Sequence, residues 1–190
     1  MNELKGSKIA GGNPTRGRVE NDYYATHPDS VKALLKVDFV IYPVLEPSCG
    51  EGHISKLLNG DITSNDLIDR GYGNGGIDFL KWTPDRDYNT VITNPPFNLF
   101  TEFMEKGLEV TKNKLFLFGK LQALEGKKRA DKMEKTPLKY VYVFKSRQQP
   151  LRNGSDIDEL TGKKMASSTM AFAWFVWEKE YIGLPQIKWI

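Results

Sequence analysis

The sequence has 190 residues, of which 39% are hydrophobic, so it is long enough for one domain with a full hydrophobic core. Its single cysteine excludes an internal disulfide framework, and one cysteine with two histidines cannot supply a zinc-type cluster, so no metal is expected. The apolar runs are too short to span a bilayer and the N-terminus has no hydrophobic signal core, which predicts a cytoplasmic protein without a membrane partner.

The first elements in chain order are an arm, a helix and a strand. Residues 1–20 are polar and lack an apolar period, and we expect them to form a flexible arm ahead of a single domain at 21–190. Pro28 marks the first turn of a predicted helix, because proline fits the start of a helix and cannot continue one. Residues 39–45 then predict a first buried strand.

A loop with two glycines, Gly50 and Gly52, follows this strand. A strand, such a loop and a helix together let a nucleotide-like ligand lie against bare backbone. Glu46 at the strand end suits a cationic amine or a ligand hydroxyl, and the loop lacks the Gly-Lys-Ser/Thr of a P-loop. A second strand is predicted at 61–66, and Asp66 at its end is placed to accept hydrogen bonds from ribose hydroxyls.

A short third strand, or the edge of one, is predicted at 77–80. Within it, Asp78 can take the amine of an adenine ring while Phe79 packs on that ring. A turn aspartate and a core phenylalanine explain the same two residues equally well.

The fourth predicted strand, at 91–92, runs into Asn94, Pro95, Pro96 and Phe97 and then into a helix. The two prolines have fixed φ and hold the Pro95 carbonyl outward, beside the side-chain carbonyl of Asn94. Two rigid acceptors and the flat face of Phe97 suit a planar ring with an exocyclic NH2 group. The alternative is an ordinary strand-to-helix turn with Phe97 in the core.

Later strands are predicted at 115–118, 140–144 and 170–177. The long polar segment between the last two leaves room for a substrate loop and not for a separate target-recognition domain. Residues 126–153 hold nine basic side chains against two acidic ones, which leaves the remainder of the chain at −4. Such a segment fits contact with a phosphate backbone, although a solvated lysine-rich helix and loop fits equally well. The candidates for nucleic-acid contact are Lys127, Lys128, Arg129, Lys132, Arg147 and Arg152.

The loop from Glu46 to Gly52 and the Asn-Pro-Pro-Phe motif together resemble the S-adenosylmethionine-dependent DNA N6-adenine methyltransferases, in particular small phage-encoded ones. The resemblance implies an α/β, Rossmann-like class I methyltransferase fold, with a mostly parallel seven-stranded sheet, helices on both faces and an antiparallel C-terminal strand. It implies S-adenosylmethionine as the cofactor and Asn94, Pro95, Pro96 and Phe97 as the catalytic motif. The residues it implies for the cofactor are Tyr23, Tyr24, Thr26, Glu46, Pro47, Ser48, Gly50, Gly52, Asp66, Asp78 and Phe79.

The resemblance also implies a mechanism. Asn94 and the Pro95 carbonyl would hold the target amine and draw its lone pair out of ring conjugation, while Phe97 stacks on the base. Tyr23 or Tyr24 would contact the sulfonium, because aromatic faces attract cations. A base in duplex DNA would have to be flipped out.

Other functions use the same motif. Asn-Pro-Pro-aromatic sequences also occur in enzymes that methylate guanine N2 in ribosomal RNA or a glutamine amide in release factors, and a non-catalytic cofactor- or DNA-binding module is a third interpretation. The Glu46-Pro47-Ser48 form of the loop and the preceding tyrosine pair favour adenine in DNA. His27 and Cys49 depart from the family pattern. The target sequence and the choice between monomer and homodimer stay open, and a phage protein would act in the host cytoplasm.

Overall fold

The computed structural model describes residues 24–148, 151–152 and 170–190, except for the side chain of Arg152. The predicted arm at 1–20 and Tyr23 therefore lie outside the described residues. The strands are β1 Tyr24–Ala25, β2 Val44–Glu46, β3 Ile62–Ser64, β4 Tyr88–Thr93, β5 Thr111–Lys120, β6 Leu138–Val143, β7 Leu151–Arg152, β8 Phe172–Glu178 and β9 Gln186–Trp189. The helices are α1 Pro28–Leu35, α2 Phe100–Val110 and α3 Lys127–Met133, with 3-10 turns at Ser55–Leu57, Phe97–Leu99 and Leu121–Leu124. None of the helices in these ranges is long and apolar enough to cross a membrane.

Seven strands form one sheet in the order β3-β2-β4-β5-β8-β6-β9. Strands β3, β2, β4 and β5 are parallel to one another, as are β6 and β9, whereas β8 runs antiparallel to both β5 and β6. This arrangement confirms the predicted mostly parallel seven-stranded sheet with an antiparallel strand near the C-terminus. Because parallel strands end at the same edge, Glu46, Thr93 and Lys120, the last residues of β2, β4 and β5, all lie at the carboxyl edge of the sheet.

Apolar side chains alternate along β5 and divide between the two faces of the sheet. Leu115 and Leu117 pack in the core that includes residues of α2, and Phe116 and Phe118 pack in the core that includes residues of α1. All four are fully buried. Helices therefore cover both faces, as predicted, and β4 with its motif is held in the middle of a rigid layer.

The predicted third strand at 77–80 is wrong, because this segment forms a turn. The Asp78 carbonyl accepts hydrogen bonds from the backbone N–H groups of Lys81 and Trp82, and the Asp78 side chain accepts one from the N–H of Leu80. These local bonds compete with pairing to a neighbouring strand. The seventh strand is instead β9, which extends the opposite edge of the sheet beside β6.

The first predicted strand is shorter than expected. β2 begins at Val44, directly after Pro43, which has no N–H to donate, and the N–H of Ile41 bonds the hydroxyl of Thr90. The helix predicted after the glycine loop is a single 3-10 turn at Ser55–Leu57. A short turn rather than a helix therefore follows the loop, and the loop stays close to the end of β2.

Strands β1 and β7 form a separate two-stranded ribbon that the sequence does not predict. Tyr24 pairs with Arg152 and Ala25 with Leu151 in antiparallel register. The ribbon joins the segment that leads into α1 to a segment distant in sequence, and it crosses the carboxyl edge of the sheet beside the Asn94 motif.

Candidate active site

A cavity of about 880 Å³, including its open mouth, lies at the carboxyl ends of β2, β3 and β4. It brings together the loop after β2, the acid that follows β3 and the motif after β4. The predicted site residues that line it are Tyr24, Thr26, Glu46, Pro47, Ser48, Asp66, Asp78, Phe79, Asn94, Pro95, Pro96 and Phe97. Gly50 and Gly52 belong to the adjoining loop.

The cavity wall also contains residues that the sequence does not single out. Leu67, Ile68 and Arg70 follow Asp66 and form one side of the cavity. Leu67 is 57% exposed, although it is apolar and lies just beyond β3, the edge strand of the sheet. An apolar residue directly after Asp66 is the signal in the sequence that would have indicated a ligand contact here.

Glu46 is fully buried at the end of β2 and is tied to the turn that follows the glycine loop. Its Oε2 accepts hydrogen bonds from the backbone N–H of Ser55, at 2.8 Å, and from the Ser55 hydroxyl. The Ser55 Oγ also lies 2.7 Å from the Oγ of Ser64 on β3. Burial raises the pKa of Glu46 to about 8, and the two bonds from Ser55 offset only part of that effect. The carboxyl group therefore titrates close to neutrality.

This raised pKa predicts a pH dependence of stability. Between the unfolded pKa of 4.5 and the folded pKa of about 8, the folded state holds a proton on Glu46 that the unfolded state releases, so the free energy of unfolding falls as pH rises. We expect the wild type to lose up to ~1.4 kcal/mol per pH unit in this window relative to Glu46→Gln, which keeps an acceptor for Ser55 and does not titrate. Urea unfolding of both proteins across this pH range measures the difference. Free energies of unfolding that change with pH in the same way in both proteins would contradict this prediction.

Asp66 holds the glycine loop against the end of β3. Its Oδ2 accepts a hydrogen bond from the N–H of Gly50 at 2.8 Å, and its Oδ1 accepts one from the N–H of Ile68 at 2.8 Å. The residue is buried yet lines the cavity. Each carboxylate oxygen has a second lone pair, so Asp66 can position the loop and still accept a ligand hydroxyl.

Gly52 is required by both backbone conformation and space. Its φ is +79°, and a Cβ added there would lie 2.4 Å from Cε1 of Tyr72. The ammonium group of Lys56 lies over the same Tyr72 ring, with Nζ 4.8 Å from the ring centroid. The glycine loop is therefore packed against the Tyr72 ring, which limits the conformations it can adopt.

Gly52→Ala is expected to destabilise the protein by more than the ~1 kcal/mol that a positive φ alone costs alanine, because the Tyr72 ring must also move. Gly71→Ala is the matched control, since Gly71 has a φ of +76° and nothing within 4 Å of an added Cβ. Urea unfolding of both variants separates the steric cost from the backbone cost. Equal losses of stability in the two variants would show that the Tyr72 ring moves aside at no measurable cost.

Asp78 and Phe79 lie in the cavity wall, each already in contact with a protein partner. Asp78 pairs with Lys81 at 2.9 Å, and the hydrogen bond from Lys81 lowers the pKa of Asp78. Phe79 is buried, with its ring centroid 5.2 Å from that of Phe103. Phe79 is thus a core residue that also lines the cavity, and its packing on an adenine ring stays a prediction.

The Asn94 side chain has one satisfied and one unsatisfied end. Its Nδ2 donates a hydrogen bond to the backbone carbonyl of Tyr24 at 2.6 Å. Its Oδ1 is buried and has no hydrogen-bond partner among the residues that the structure describes. A buried acceptor without a donor costs ~1–3 kcal/mol, so a donor that reached this oxygen would recover that free energy.

Phe97 presents its ring at the same end of the cavity. The ring of Tyr24 stacks on it with a centroid distance of 5.7 Å and an interplanar angle of 22°, and Phe172 of β8 packs on it at 5.6 Å. Tyr24 therefore contacts the Asn94 motif with both its backbone carbonyl and its ring. The sequence associates Tyr24 with the cofactor end of the site, whereas the structure also joins it to Phe97.

Arg129, one of the predicted nucleic-acid contacts, is engaged within the protein. Its guanidinium donates hydrogen bonds to the backbone carbonyls of Gln122, Ala123 and Glu125 at 3.2, 3.0 and 2.6 Å. These bonds tie the 3-10 turn after β5 to the start of α3. Arg129 therefore stabilises this connection whether or not it also meets a ligand.

The other basic residues of α3 lie on the surface. Lys127 pairs with Asp131 at 3.3 Å and Lys132 pairs with Glu105 of α2 at 2.6 Å. Lys128 and, beyond β6, Arg147 are exposed. The side chain of Arg152 is outside the described atoms. Exposed ion pairs of this kind are weak and exchange readily, so these lysines can still bind a phosphate.

The fold is that of the Rossmann-like class I methyltransferases, although no protein-family model and no curated protein matches the sequence. A protein from Listeria monocytogenes assigned to this class superposes with a TM-score of 0.56 at 16% identity, over 98% of this chain and 72% of that one. The methyltransferase subunit of a type I restriction-modification system from Streptococcus thermophilus gives 0.55 at 10% identity, over 83% of this chain and 44% of that one. Magnesium protoporphyrin IX methyltransferase from Synechocystis PCC 6803, with bound S-adenosylmethionine, gives 0.52 at 10% identity, over 81% and 80%. This chain thus spans less than half the length of the restriction-modification subunit.

Proposed function

We propose that the protein transfers a methyl group from S-adenosylmethionine to the N6 amine of adenine in DNA. The observation that carries the proposal is the buried Oδ1 of Asn94, which has no donor among the described residues and belongs to a side chain that lines the same cavity as Phe97. An unsatisfied acceptor beside an aromatic plate fits a planar ring that bears an NH2 group.

The opposite end of the cavity fits the cofactor. The loop after β2 lines this end with Pro47, Ser48 and Cys49, Asp66 can accept from ribose hydroxyls, and Glu46 and Asp78 add two further carboxyl groups. Carboxyl groups and backbone suit the hydroxyls, the adenine amine and the cationic groups of S-adenosylmethionine. When bound, this cofactor supplies an electrophilic methyl group.

The residues of the chain then act mainly by positioning. The Oδ1 of Asn94 accepts a hydrogen bond from the target amine. This bond draws electron density towards the amine nitrogen and favours a geometry in which the lone pair of that nitrogen is no longer conjugated with the ring. Phe97 holds the target ring by stacking, and Pro95 and Pro96 keep the Asn94 backbone in a fixed conformation. The methylated amine loses its proton to water, so no strong base is required.

A nucleic-acid base is favoured over a glutamine amide because Phe97 provides a stacking surface that a base ring fills better than an amide does. The basic surface residues after β5 add attraction for a phosphate backbone. The restriction-modification subunit shares the fold, as does an enzyme named for a porphyrin, so the fold by itself does not select the substrate.

The test is transfer of labelled methyl from S-adenosylmethionine to unmethylated DNA, ribosomal RNA and whole-cell protein in parallel reactions. Label recovered as N6-methyladenine after digestion of the DNA to nucleosides is the expected result. Label in N2-methylguanine or in methylglutamine would support methyl transfer but would show that the substrate is RNA or protein. Cofactor binding without transfer to any of the three would support a non-catalytic binding module.

A further inference from the structure

Exposed apolar side chains are concentrated in the segment that leads into and forms β9. Ile182 is 98% exposed, Leu184 85%, Ile187 57% and Trp189 64%. These four make up half of the exposed large apolar side chains in the part of the chain that the structure describes. Such a concentration on the surface of a folded protein indicates a site of protein contact.

Strand β9 is the last strand of the sheet and pairs with β6 on one side. Directly after it, the N–H of Ile190 bonds the carbonyl of Val143, and the carbonyl of Ile190 accepts from the N–H of Lys145. Consecutive residues of a strand direct their backbone groups to opposite edges, so those of Ile187 and Trp189 point away from β6. No strand among the described residues pairs with this outer edge. The edge therefore offers backbone donors and acceptors to a further strand.

The side chains of Ile187 and Trp189 lie on one face of this edge. In the parallel register they stand beside Val141 and Val143 of β6. Val141 belongs to the core that includes residues of α2, and Val143 packs against that core. The exposure of Ile187 and Trp189 shows that this core stops at β6. An added strand would supply hydrogen bonds to the edge and an apolar face to these two side chains together.

We propose that β9 binds a second copy of this chain by antiparallel pairing with its β9, about a two-fold axis at Lys188. In this register Ile187 exchanges both backbone hydrogen bonds with Trp189 of the second copy, and the axis repeats the pair. The two side chains then meet on the same face. The inference does not depend on the proposed methyl transfer, because β5, β8 and β6 separate β9 from β4 and its motif.

The segment is complementary to itself in the way that a two-fold contact requires. It has an apolar side chain before β9, at Leu184, and another at the end of β9, at Trp189. Antiparallel pairing brings each end of the segment towards the opposite end in the second copy. The Nζ of Lys188, the residue at the axis, lies 3.7 Å from the centroid of the Tyr140 ring of its own copy, on β6. This contact draws the charge back from the axis and limits the repulsion between the two lysines.

The exposed area is large enough for such a contact. At the exposures given above, the four apolar side chains present roughly 500–600 Å² in each copy. A contact that covers the segment in both copies therefore buries roughly 1,000–1,200 Å² before any backbone is counted, which reaches the lower limit of about 1,000 Å² for a specific interface.

Sedimentation equilibrium of the full chain tests the surface. We expect the wild type to be a dimer at about 50 μM and Ile187→Lys to associate at least about tenfold more weakly, because it places an unpaired charge in the contact. Val37→Lys is the matched control, since Val37 is 49% exposed and lies two residues after α1, outside the segment. It should associate like the wild type. A monomeric wild type at this concentration overturns the proposal, and so does equal association of the two variants.

Disulfide cross-linking tests the register. About an axis at Lys188, the two copies of this residue form a non-hydrogen-bonded pair with Cα atoms about 4.5 Å apart, which suits a disulfide. Lys188→Cys should therefore give a covalent dimer on oxidation with copper phenanthroline in air, and dithiothreitol should reverse it. Gln186→Cys is the control on the same face, because it would stand opposite Ile190 of the second copy. Cys49 is buried and does not compete. Equal cross-linking of both variants, or none in Lys188→Cys, overturns the proposed pairing.

Discussion

Asn94→Ala is expected to reduce methyl transfer by about 10²–10³-fold while leaving cofactor affinity unchanged. The variant loses the Oδ1 acceptor, which is the group proposed to hold and polarise the target amine. It also loses the Nδ2 bond to the Tyr24 carbonyl, so part of the loss comes from a less fixed ribbon. Single-turnover transfer and calorimetric titration of the cofactor measure the two quantities independently.

Two further variants accompany Asn94→Ala: the first separates the two ends of the amide, and the second is a control. Asn94→Asp keeps an acceptor oxygen and removes the donor to Tyr24, so it should retain more activity than Asn94→Ala if polarisation of the amine dominates. Asn98→Ala changes an exposed asparagine of the same turn and should have no effect. If Asn94→Ala keeps wild-type transfer, the proposed role of the Asn-Pro-Pro-Phe motif is wrong.

The largest effect on stability is expected from Asp38→Ala, at ~3–5 kcal/mol. Asp38 accepts from Lys114 Nζ at 2.7 Å and from the Tyr142 hydroxyl at 3.1 Å, and the paired side chains of Asp38 and Lys114 are only 6% and 7% exposed. Lys114 also lies over the ring of Phe39, 4.0 Å from its centroid. Removing the carboxylate leaves an ammonium ion and a hydroxyl buried without their acceptor.

Urea unfolding of three proteins tests this explanation. The double variant with Asp38→Ala and Lys114→Met should recover much of the lost stability, because the uncompensated charge is gone. Asp87→Ala, which breaks the exposed pair with Lys112 at 3.1 Å, should cost ~1 kcal/mol or less. Equal losses in Asp38→Ala and Asp87→Ala would show that burial of the pair does not determine its contribution.

The site could be predicted from the sequence where strand ends determine it. Glu46, Asp66 and Asn94 each stand at or just beyond the end of a parallel strand, and such ends meet at one edge whatever the details of the loops. Their convergence on one cavity follows from the parallel pairing of β2 with β3 and β4. The pattern of apolar residues along the sequence also predicts that β5 is buried on both faces and that a helix follows Phe97.

Other features depend on pairings between distant segments and leave no local pattern. The residues at 77–80 look like a strand, yet side-chain and backbone bonds at Asp78 close a turn instead. The exposed strand β9 has no buried face that would give it a clear hydrophobic period. The stacking of Tyr24 on Phe97 and the position of Lys120 beside the same ring follow from sheet register and from the ribbon, neither of which composition reveals.

The ribbon of β1 and β7 has a consequence for the order in which the molecule assembles. The central strands β4 and β5 are linked by one 3-10 turn and α2, whereas Tyr24 must find Arg152 across most of the chain. Closing so long a loop is entropically costly, so this contact is expected to form late in folding. The Asn94 amide takes its orientation from the Tyr24 carbonyl, and the acceptor is therefore aligned only when the last long-range contact is made. We therefore expect the proposed methyl transfer to depend on completion of the fold and not only on formation of its core.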